Sequence, residues 1–522
     1  MLRTQRVYPL FLMTIGTVML LMMHSRPMTI EGDAVTYLLP IHSLAQGDGY
    51  TFLGQSHTDY GPGYGILAYA AYLVVRDIET SGLVVSGLSY LLCIYVAYRG
   101  TKGLFGERAA FFAAFFVTTS PVLVQLAGST LTEATFSLFY LVGFFLYIRL
   151  LTRTAHPWRY AALGVVLGYS YLIRPEAFLT GVLATLSVAW LGRRQMRSFL
   201  PLLTFALVCA PYLLFLHANL DEWTLAGKAS DPLIFYGEMY EGTPESQLIT
   251  RREADPEYFE QSLLEYVRLR GFDLLPRIRQ NAGWIVVQMV GNLRHALLAV
   301  TLAAGLAFVF RMRLGFPADE RRVRIGMAFL IFLTPVPVYL LYFVTYRFML
   351  PYSLLLLVLV SVLIHALLPT RNLALQVGVA ASSLLVLFSP LPLYQSIALD
   401  EVLQPPPDSD KSRYIGNWLH NNLDLDEKTI MGIGKLHVIS FYASGRQPLV
   451  NDYVEVPSQI HLSDLARMMS AEDVDYLILE ATYMRARPQL QPLWDEPQTA
   501  RSMGLSVIHV DPAGEFQVYR PL

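Results

Sequence analysis

The run Tyr64-Gly65-Ile66-Leu67-Ala68-Tyr69-Ala70-Ala71-Tyr72-Leu73-Val74-Val75 decides how the chain threads a membrane. It is apolar, yet it falls short of the roughly 20 residues a spanning helix needs. Counted as a span, it would invert every later loop. The arginine clusters would then lie outside, against the rule that Lys and Arg gather in cytoplasmic loops. Read as a helix on the outer surface, it leaves Arg3 and Arg6, Arg99, Lys102 and Arg108, and Arg149, Arg153 and Arg159 inside. Arg193, Arg194 and Arg197, then Arg311, Arg313, Arg321, Arg322 and Arg324, and finally Arg371, follow on the same side. The N-terminus is therefore expected in the cytoplasm.

Composition points the same way. The chain has 522 residues, 54% hydrophobic and 15% charged, against a usual charged share of about 25%. Its mean hydropathy is +0.41. Candidate spans are 8–23, 83–98, 109–124, 134–150, 160–173, 177–191, 199–216, 296–310, 325–344, 348–368 and 373–393. The fold class is thus mainly α: a polytopic helix bundle of about eleven spans. Interfacial helices sit in its first outer loop, and a small α/β domain closes the chain outside. A net charge of -2 gives no support for nucleic-acid binding. Cys93 and Cys209 fall inside apolar runs and read as buried hydrophobes, not as a disulfide framework. The first apolar run has no small-x-small cleavage site behind it and reads as an uncleaved span.

The bundle is assigned to residues 1–400, with outer loops at 24–82 and 217–284, and the outer domain to 405–522. The second loop carries Arg251-Arg252-Glu253-Ala254-Asp255-Pro256-Glu257, with a short helix expected over 258–270. Gln404-Pro405-Pro406-Pro407-Asp408 is a stiff linker-like run. Beyond it the patterns predict helices over 411–422 and 462–469 and strands over 429–433 and 476–479. A hairpin is expected between 506–510 and 516–519, across Asp511-Pro512-Ala513-Gly514.

The first outer loop opens with Glu31-Gly32-Asp33-Ala34-Val35-Thr36-Tyr37. An ionised carboxylate there sits at the membrane surface rather than in hydrocarbon, where it would be expensive. Leu38-Leu39-Pro40-Ile41 and Leu44-Ala45 suit a helix in the interface plane. Asp33 reads as a catalytic base at the lip of a membrane-embedded pocket. Before Ala34-Val35-Thr36 it is also a good helix cap, and the two roles are compatible. Glu31, the rival acid, reads as a solvated interfacial residue.

Further motifs recur at outer span ends. They are Tyr60-Gly61-Pro62-Gly63-Tyr64, Leu131-Thr132-Glu133, Tyr171-Leu172-Ile173-Arg174-Pro175-Glu176 and Tyr346-Arg347-Phe348-Met349-Leu350-Pro351. Val474-Asp475-Tyr476-Leu477-Ile478 lies in the tail. In this order, after a carboxylate behind the first span, they resemble the GT-C superfamily of integral-membrane glycosyltransferases. The nearest look is to the protein O-mannosyltransferase-like branch, which includes the bacterial transferase that adds aminoarabinose to lipid A.

The resemblance implies a polyprenyl-phosphate sugar donor used at the outer face, with the acid of the first outer loop as general base, here Asp33. Many relatives have Asp-Glu where this chain has Asp33-Ala34. Some carry a Lys before the Pro-Gly turn, contacting the donor phosphate. Here that neighbourhood is His57-Thr58-Asp59-Tyr60-Gly61-Pro62, so another cation must serve.

Glycosyl transfer needs a base for the acceptor's proton and cations for charge developing on the leaving phosphate. A single displacement with inversion follows from a base on one face and a phosphate on the other. Arg174 and Arg347 suit a phosphate clamp, since arginine grips phosphate oxygens in a fork. The alternatives are snorkelling or ion pairing, Arg174 with Glu176 or Glu133. Glu133 reads as a pocket residue or a helix cap. Tyr60 and Tyr64 read as sugar-stacking or headgroup-level residues. His57 with Asp59 reads as a metal or acceptor site or, since so few ligand-type residues are a sparse metal signal, as plain loop residues. No cofactor is expected, with a divalent metal as the alternative. His437 and His509 stand isolated in the tail. The expected partners are the lipid-linked donor, membrane lipids and a lipid, glycan or protein acceptor. Low cysteine and compact loops fit a bacterial inner membrane, with the C-terminal domain periplasmic or extracellular. Two other readings stand beside this one. One is a polysaccharide ligase or polymerase working through arginines of the second loop; the other is a transporter or flippase.

Overall fold

The computed structural model describes residues 7–24, 30, 32–152, 156–228, 233–243, 245–259, 261–309, 320–367, 409–426, 428–445, 452–457, 460–484 and 487–522. Glu31, the expected span 373–393 and the linker 404–408 lie outside the described residues.

The chain opens with α1 (Val7–His24), α2 (Gly32–Gln46) and a small hairpin of β1 (Thr51–Phe52) and β2 (Gln55–Ser56). Next come α3 (Gly63–Val75), α4 (Ile78–Phe105), α5 (Glu107–Thr118), α6 (Pro121–Ala127), α7 (Glu133–Thr152), α8 (Pro157–Ile173), α9 (Ala177–Leu191) and α10 (Leu200–Leu220). The second loop holds α11 (Phe235–Tyr240) and α12 (Leu263–Arg270). The bundle resumes with α13 (Leu275–Val309), α14 (Glu320–Phe332) and α15 (Tyr346–Leu367).

Among the described residues, five stretches are long and apolar enough to cross a membrane: Ile78–Phe105, Glu133–Thr152, Met196–Leu220, Val323–Leu340 and Tyr346–Ala366. A sixth is added if α5 and α6 are one span bent by 57°. The expected helices over 8–23 and 177–191 are present but shorter. Helix α3 has 13 residues, about 20 Å of rise, less than a hydrocarbon core of about 30 Å. It ends at Arg76, in the left-handed region at φ 63°. Asp77 then caps α4 by accepting from the Thr80 amide at 2.7 Å.

Proline explains two breaks inside expected spans. Pro121 stands at the first position of α6, where it has no amide to give. The run 325–344 stops as α-helix at Phe332, and Pro335 leads a short 3-10 turn, Val336–Leu340. Conversely, α13 begins at Leu275, well before the expected 296. Its first turns carry Arg277, Arg279, Gln280 and Asn281, which hydropathy skips but helical propensity accepts. The expected helix 258–270 is two pieces, because Ser262 starts α12 with a capping box to Glu265.

The tail forms a five-stranded sheet in the order β4-β3-β5-β7-β6. Its strands are β3 (Thr429–Gly432), β4 (Asp452–Glu455), β5 (Tyr476–Glu480), β6 (Leu505–Val510) and β7 (Phe516–Pro521). β3 pairs in parallel with β4 and β5; β7 is antiparallel to β5 and β6. Side chains alternate between faces along a strand. Leu477, Leu479 and Tyr519 therefore pack with Leu465 and Met469 of α18 (Leu462–Ala471). Tyr476, Ile478, Phe516 and Val518 pack with Ile415 and Leu419 of α16 (Ser409–Asn422). Strand β4 and helix α17 (Leu436–Ala443) were not legible in the patterns.

Helix α17 has two working faces. Leu436, Ile439 and Ala443 join the sheet core. Val438, Phe441 and Tyr442 join the core of the bundle, with α2 against them. The Tyr442 hydroxyl accepts from the Ile30 amide and donates to Glu79 Oε1, each at 2.9 Å and buried. The C-terminal domain is thus seated on the segment that leads into α2.

Candidate active site

Four segments converge around Asp33, in the first turn of α2. Among its described contacts, the Asp33 carboxylate does not cap its own helix. Instead Oδ1 accepts from the Tyr60 hydroxyl at 3.4 Å, and Oδ2 faces Arg347 Nη2 at 3.2 Å. Arg347, at the start of α15, also gives its Nε to Glu133 Oε1 at 2.8 Å. Glu133, at the start of α7, shares that oxygen with Arg174 Nη1 at 3.2 Å. Arg174 Nε holds Glu176 Oε1 at 2.7 Å, and Tyr339 donates to the same Glu176 oxygen at 2.9 Å.

Exposure separates the two acids nearest Arg347. The Asp33 side chain is 42% exposed, whereas that of Glu133 is 1% exposed. Asp33 is open to solvent; Glu133 is sealed and fixes two guanidiniums. Arg174 is 12% exposed, bound by two carboxylates, with its guanidinium 4.8 Å from the Phe348 ring centre. That is the ion-pair alternative for Arg174 rather than the clamp.

Glycines bring the Tyr60 turn into place. A side chain at Gly61 would put a Cβ 2.3 Å from the Leu172 carbonyl oxygen, and one at Gly63 would lie 2.7 Å from the Leu172 carbonyl carbon. The turn therefore lies directly on the end of α8, next to Arg174. Tyr169 of α8 donates to the Gly63 carbonyl at 2.7 Å. Tyr37 packs edge-on to Tyr60, ring centres 4.6 Å apart. Burial and the nearby acids hold the Tyr60 phenol well above its ordinary range, so it stays protonated as a donor to Asp33.

A cation reaches the first loop from the second. Lys228 Nζ donates to the Tyr60 hydroxyl at 3.3 Å and lies 5.4 Å from its ring centre. The Gly227 amide next to it bonds the Thr58 carbonyl at 3.1 Å, locking the two loops together. Lys228 was missed as a site residue, although it is the only lysine in 24–82 and 217–284. Glu176 and Tyr37 were also not singled out.

Other candidates fall elsewhere. Tyr64 is fully buried and bonds Gly82 and Ser86 of α4, so it packs helices rather than sugar. His57 is 5% exposed and sits among the rings of Tyr50, Phe52 and Tyr60. Burial pushes its imidazole down. Among the described residues no group of three metal-ligand side chains occurs. His437, expected to stand alone, does not: Asp33, Lys435 and Lys228 all lie within electrostatic reach of its ring.

The comparisons with known proteins agree with this architecture. Residues 59–215 match the family described as dolichyl-phosphate-mannose-protein mannosyltransferase. That match takes in Tyr60, Glu133 and Arg174 but neither Asp33, Lys228 nor Arg347. No curated protein sequence matches the chain. The fold is similar to that of the Archaeoglobus fulgidus oligosaccharyltransferase in complex with zinc and sulfate. The TM-score is 0.50 at 13% identity, over 98% of this chain and 73% of that one. It is also similar to ArnT from Cupriavidus metallidurans bound to undecaprenyl phosphate. There the TM-score is 0.49 at 14% identity, over 98% and 97% of the two chains. At these identities the likeness is one of fold. The chain is a membrane protein with the GT-C glycosyltransferase fold, and the resemblance read from its motifs holds.

Proposed function

We propose that this chain transfers a sugar from a polyprenyl-phosphate donor to an acceptor hydroxyl at the outer face of the membrane, with inversion at the sugar. The observation that carries the reading is the Asp33 carboxylate, open to solvent on one side and gripped by Arg347 and Tyr60 on the other. The family description over 59–215, a dolichyl-phosphate sugar, supports a lipid-linked donor.

In this reading Asp33 takes the acceptor's proton as the new glycosidic bond forms, a contribution of roughly 10²–10⁴-fold. Arg347 and Tyr60 fix the direction of its lone pairs. The bond from the sugar to phosphate breaks on the opposite face, and the electron pair leaves on the lipid phosphate. Arg174 and Arg347 face three carboxylates, Asp33, Glu133 and Glu176. That cluster alone would repel a phosphate. Lys228 supplies the further positive charge, so the leaving group is assigned to Lys228 with Arg347. The acceptor is a lipid, glycan or protein hydroxyl, and the membrane is a bacterial inner membrane. Of the two arginines the ligase reading would use, Arg251 pairs with the buried Glu238 at 3.4 Å and lies 3.8 Å over the Tyr258 ring, and Arg252 lies 6.0 Å from the Phe235 ring.

The test is incubation of purified protein with radiolabelled polyprenyl-phosphate sugars and a membrane extract. Transfer of label from at least one donor supports the reading. Label that stays on every donor, or vesicle uptake without transfer, removes it.

A further inference from the structure

We infer that the outer domain completes the active site: α17 places His437 across from Asp33, and the acceptor hydroxyl is held between these two residues. This rests on the reading of Asp33 as the base.

The geometry is set by the docking of α17. Tyr442 is bonded to the Ile30 amide, three residues before Asp33, and to Glu79 at the head of α4. Phe441 is fully buried in the bundle core. His437 lies one turn earlier, four residues before Phe441, and so shares its helix face. That face packs on the bundle against α2, the helix that carries Asp33, and Asp33 lies within electrostatic reach of the ring. The ring is not sealed as its neighbours Leu436 and Val438 are; it remains part-exposed. A part-exposed imidazole within electrostatic reach of one carboxylate and two ammonium groups is placed for more than packing.

The charge state suits a hydroxyl. Burial first, and then Lys435 and Lys228, oppose protonation of the ring, and Asp33 only partly offsets them; the imidazole is lowered to about 4. At neutral pH the ring is therefore uncharged, with one nitrogen donating and the other accepting. A hydroxyl also offers one donor and an acceptor. The neutral ring does not compete with Lys228 for phosphate, and it does not take the transferred proton. That proton goes to Asp33 as the acceptor oxygen bonds the sugar carbon and the phosphate oxygen leaves. The ring's task is to orient the hydroxyl and to keep water from its place.

The experiment uses the full chain in detergent with a polyprenyl-phosphate sugar and membrane extract. Product is divided into sugar on acceptor and sugar released to water. Undecaprenyl phosphate binding is the donor-side probe. His437→Ala is expected to bind undecaprenyl phosphate as wild type does, to lose transfer about tenfold, and to release a larger share of free sugar. His437→Gln keeps a donor and an acceptor and should recover part of the transfer. Tyr442→Phe and Glu79→Gln, which loosen the seat of the domain, should shift product toward free sugar without touching the cleft. Wild-type transfer and partition in His437→Ala overturns the inference, as does loss of undecaprenyl phosphate binding. If His437→Ala does not fold, the two seat variants decide by the same partition. Asp33→Asn is run beside them: its full activity would remove the base, a failure separable from that of His437.

Discussion

Arg347 joins two carboxylates of opposite character, Asp33 Oδ2 at 3.2 Å and Glu133 Oε1 at 2.8 Å. One acid is open and the other sealed. A residue at the start of α15 thereby ties the first turn of α2 to the first turn of α7. The fork of a guanidinium reaches both; a single ammonium does not.

Arg347→Lys is therefore expected to lower kcat/KM for transfer by about 10²-fold, the scale of a misplaced catalytic group. Steady-state transfer assays measure it. A lysine variant within twofold of wild type would show that the fork is not needed.

Glu133 is fully buried and serves two arginines. Its removal leaves two largely buried guanidiniums short of a counter-charge, which costs about 3–5 kcal/mol. Glu133→Ala should melt far below wild type in detergent. The exposed pair Arg467–Asp464, with Arg467 79% exposed, is the control: Arg467→Ala should change stability by less than about 1 kcal/mol. Equal effects would contradict the burial argument.

Lys228 is the cation assigned to the leaving phosphate. Lys228→Ala should raise the KM for a polyprenyl-phosphate sugar by about ten- to a hundredfold, the range for a hydrogen bond to a charged group. Lys228→Arg should retain most of the affinity. An unchanged KM in the alanine variant would return the phosphate to Arg347 alone.

Much of this cluster was legible, because charged residues at outer span ends are conspicuous in an apolar sequence. Asp33, Glu133, Arg174 and Arg347 all stood out that way. Arg174 pairs with Glu133 and Glu176, the ion-pair alternative that its neighbours offered. Arg174 as clamp or ion pair depends on Glu176, two residues on, folding back beside it. Lys228 was invisible because its neighbour Gly227 bonds Thr58 across a long stretch of chain. His437 was hidden for a related reason. α17 is apolar on both faces, so it has no one-sided stripe to mark it as a helix or to show that one side belongs to another domain. The C-terminal hairpin was read correctly, since alternation and the Asp511-Pro512-Ala513-Gly514 turn are local signals. Strand β4 flanks a parallel pairing, which no adjacent turn announces.

The depressed imidazole of His437 sets a pH dependence of stability. Its value falls from the ordinary 6.5 to about 4 on folding. Between these two pH values the unfolded chain binds more protons, so stability rises with pH there. The contribution is complete above about pH 6.5 and is lost as pH falls toward 4. Melting temperatures across this window should fall less steeply in His437→Gln than in wild type. Parallel curves would contradict the part-buried, uncharged ring.

The central claim is that the open carboxylate on α2 removes the acceptor's proton. Single-turnover transfer from a polyprenyl-phosphate sugar, wild type against Asp33→Asn, tests it most directly. Asparagine keeps the shape and still accepts from Tyr60, but it cannot take a proton. The account predicts that undecaprenyl phosphate still binds while the chemical step slows by about 10²–10⁴-fold. An Asp33→Asn protein that transfers sugar at the wild-type rate would contradict it.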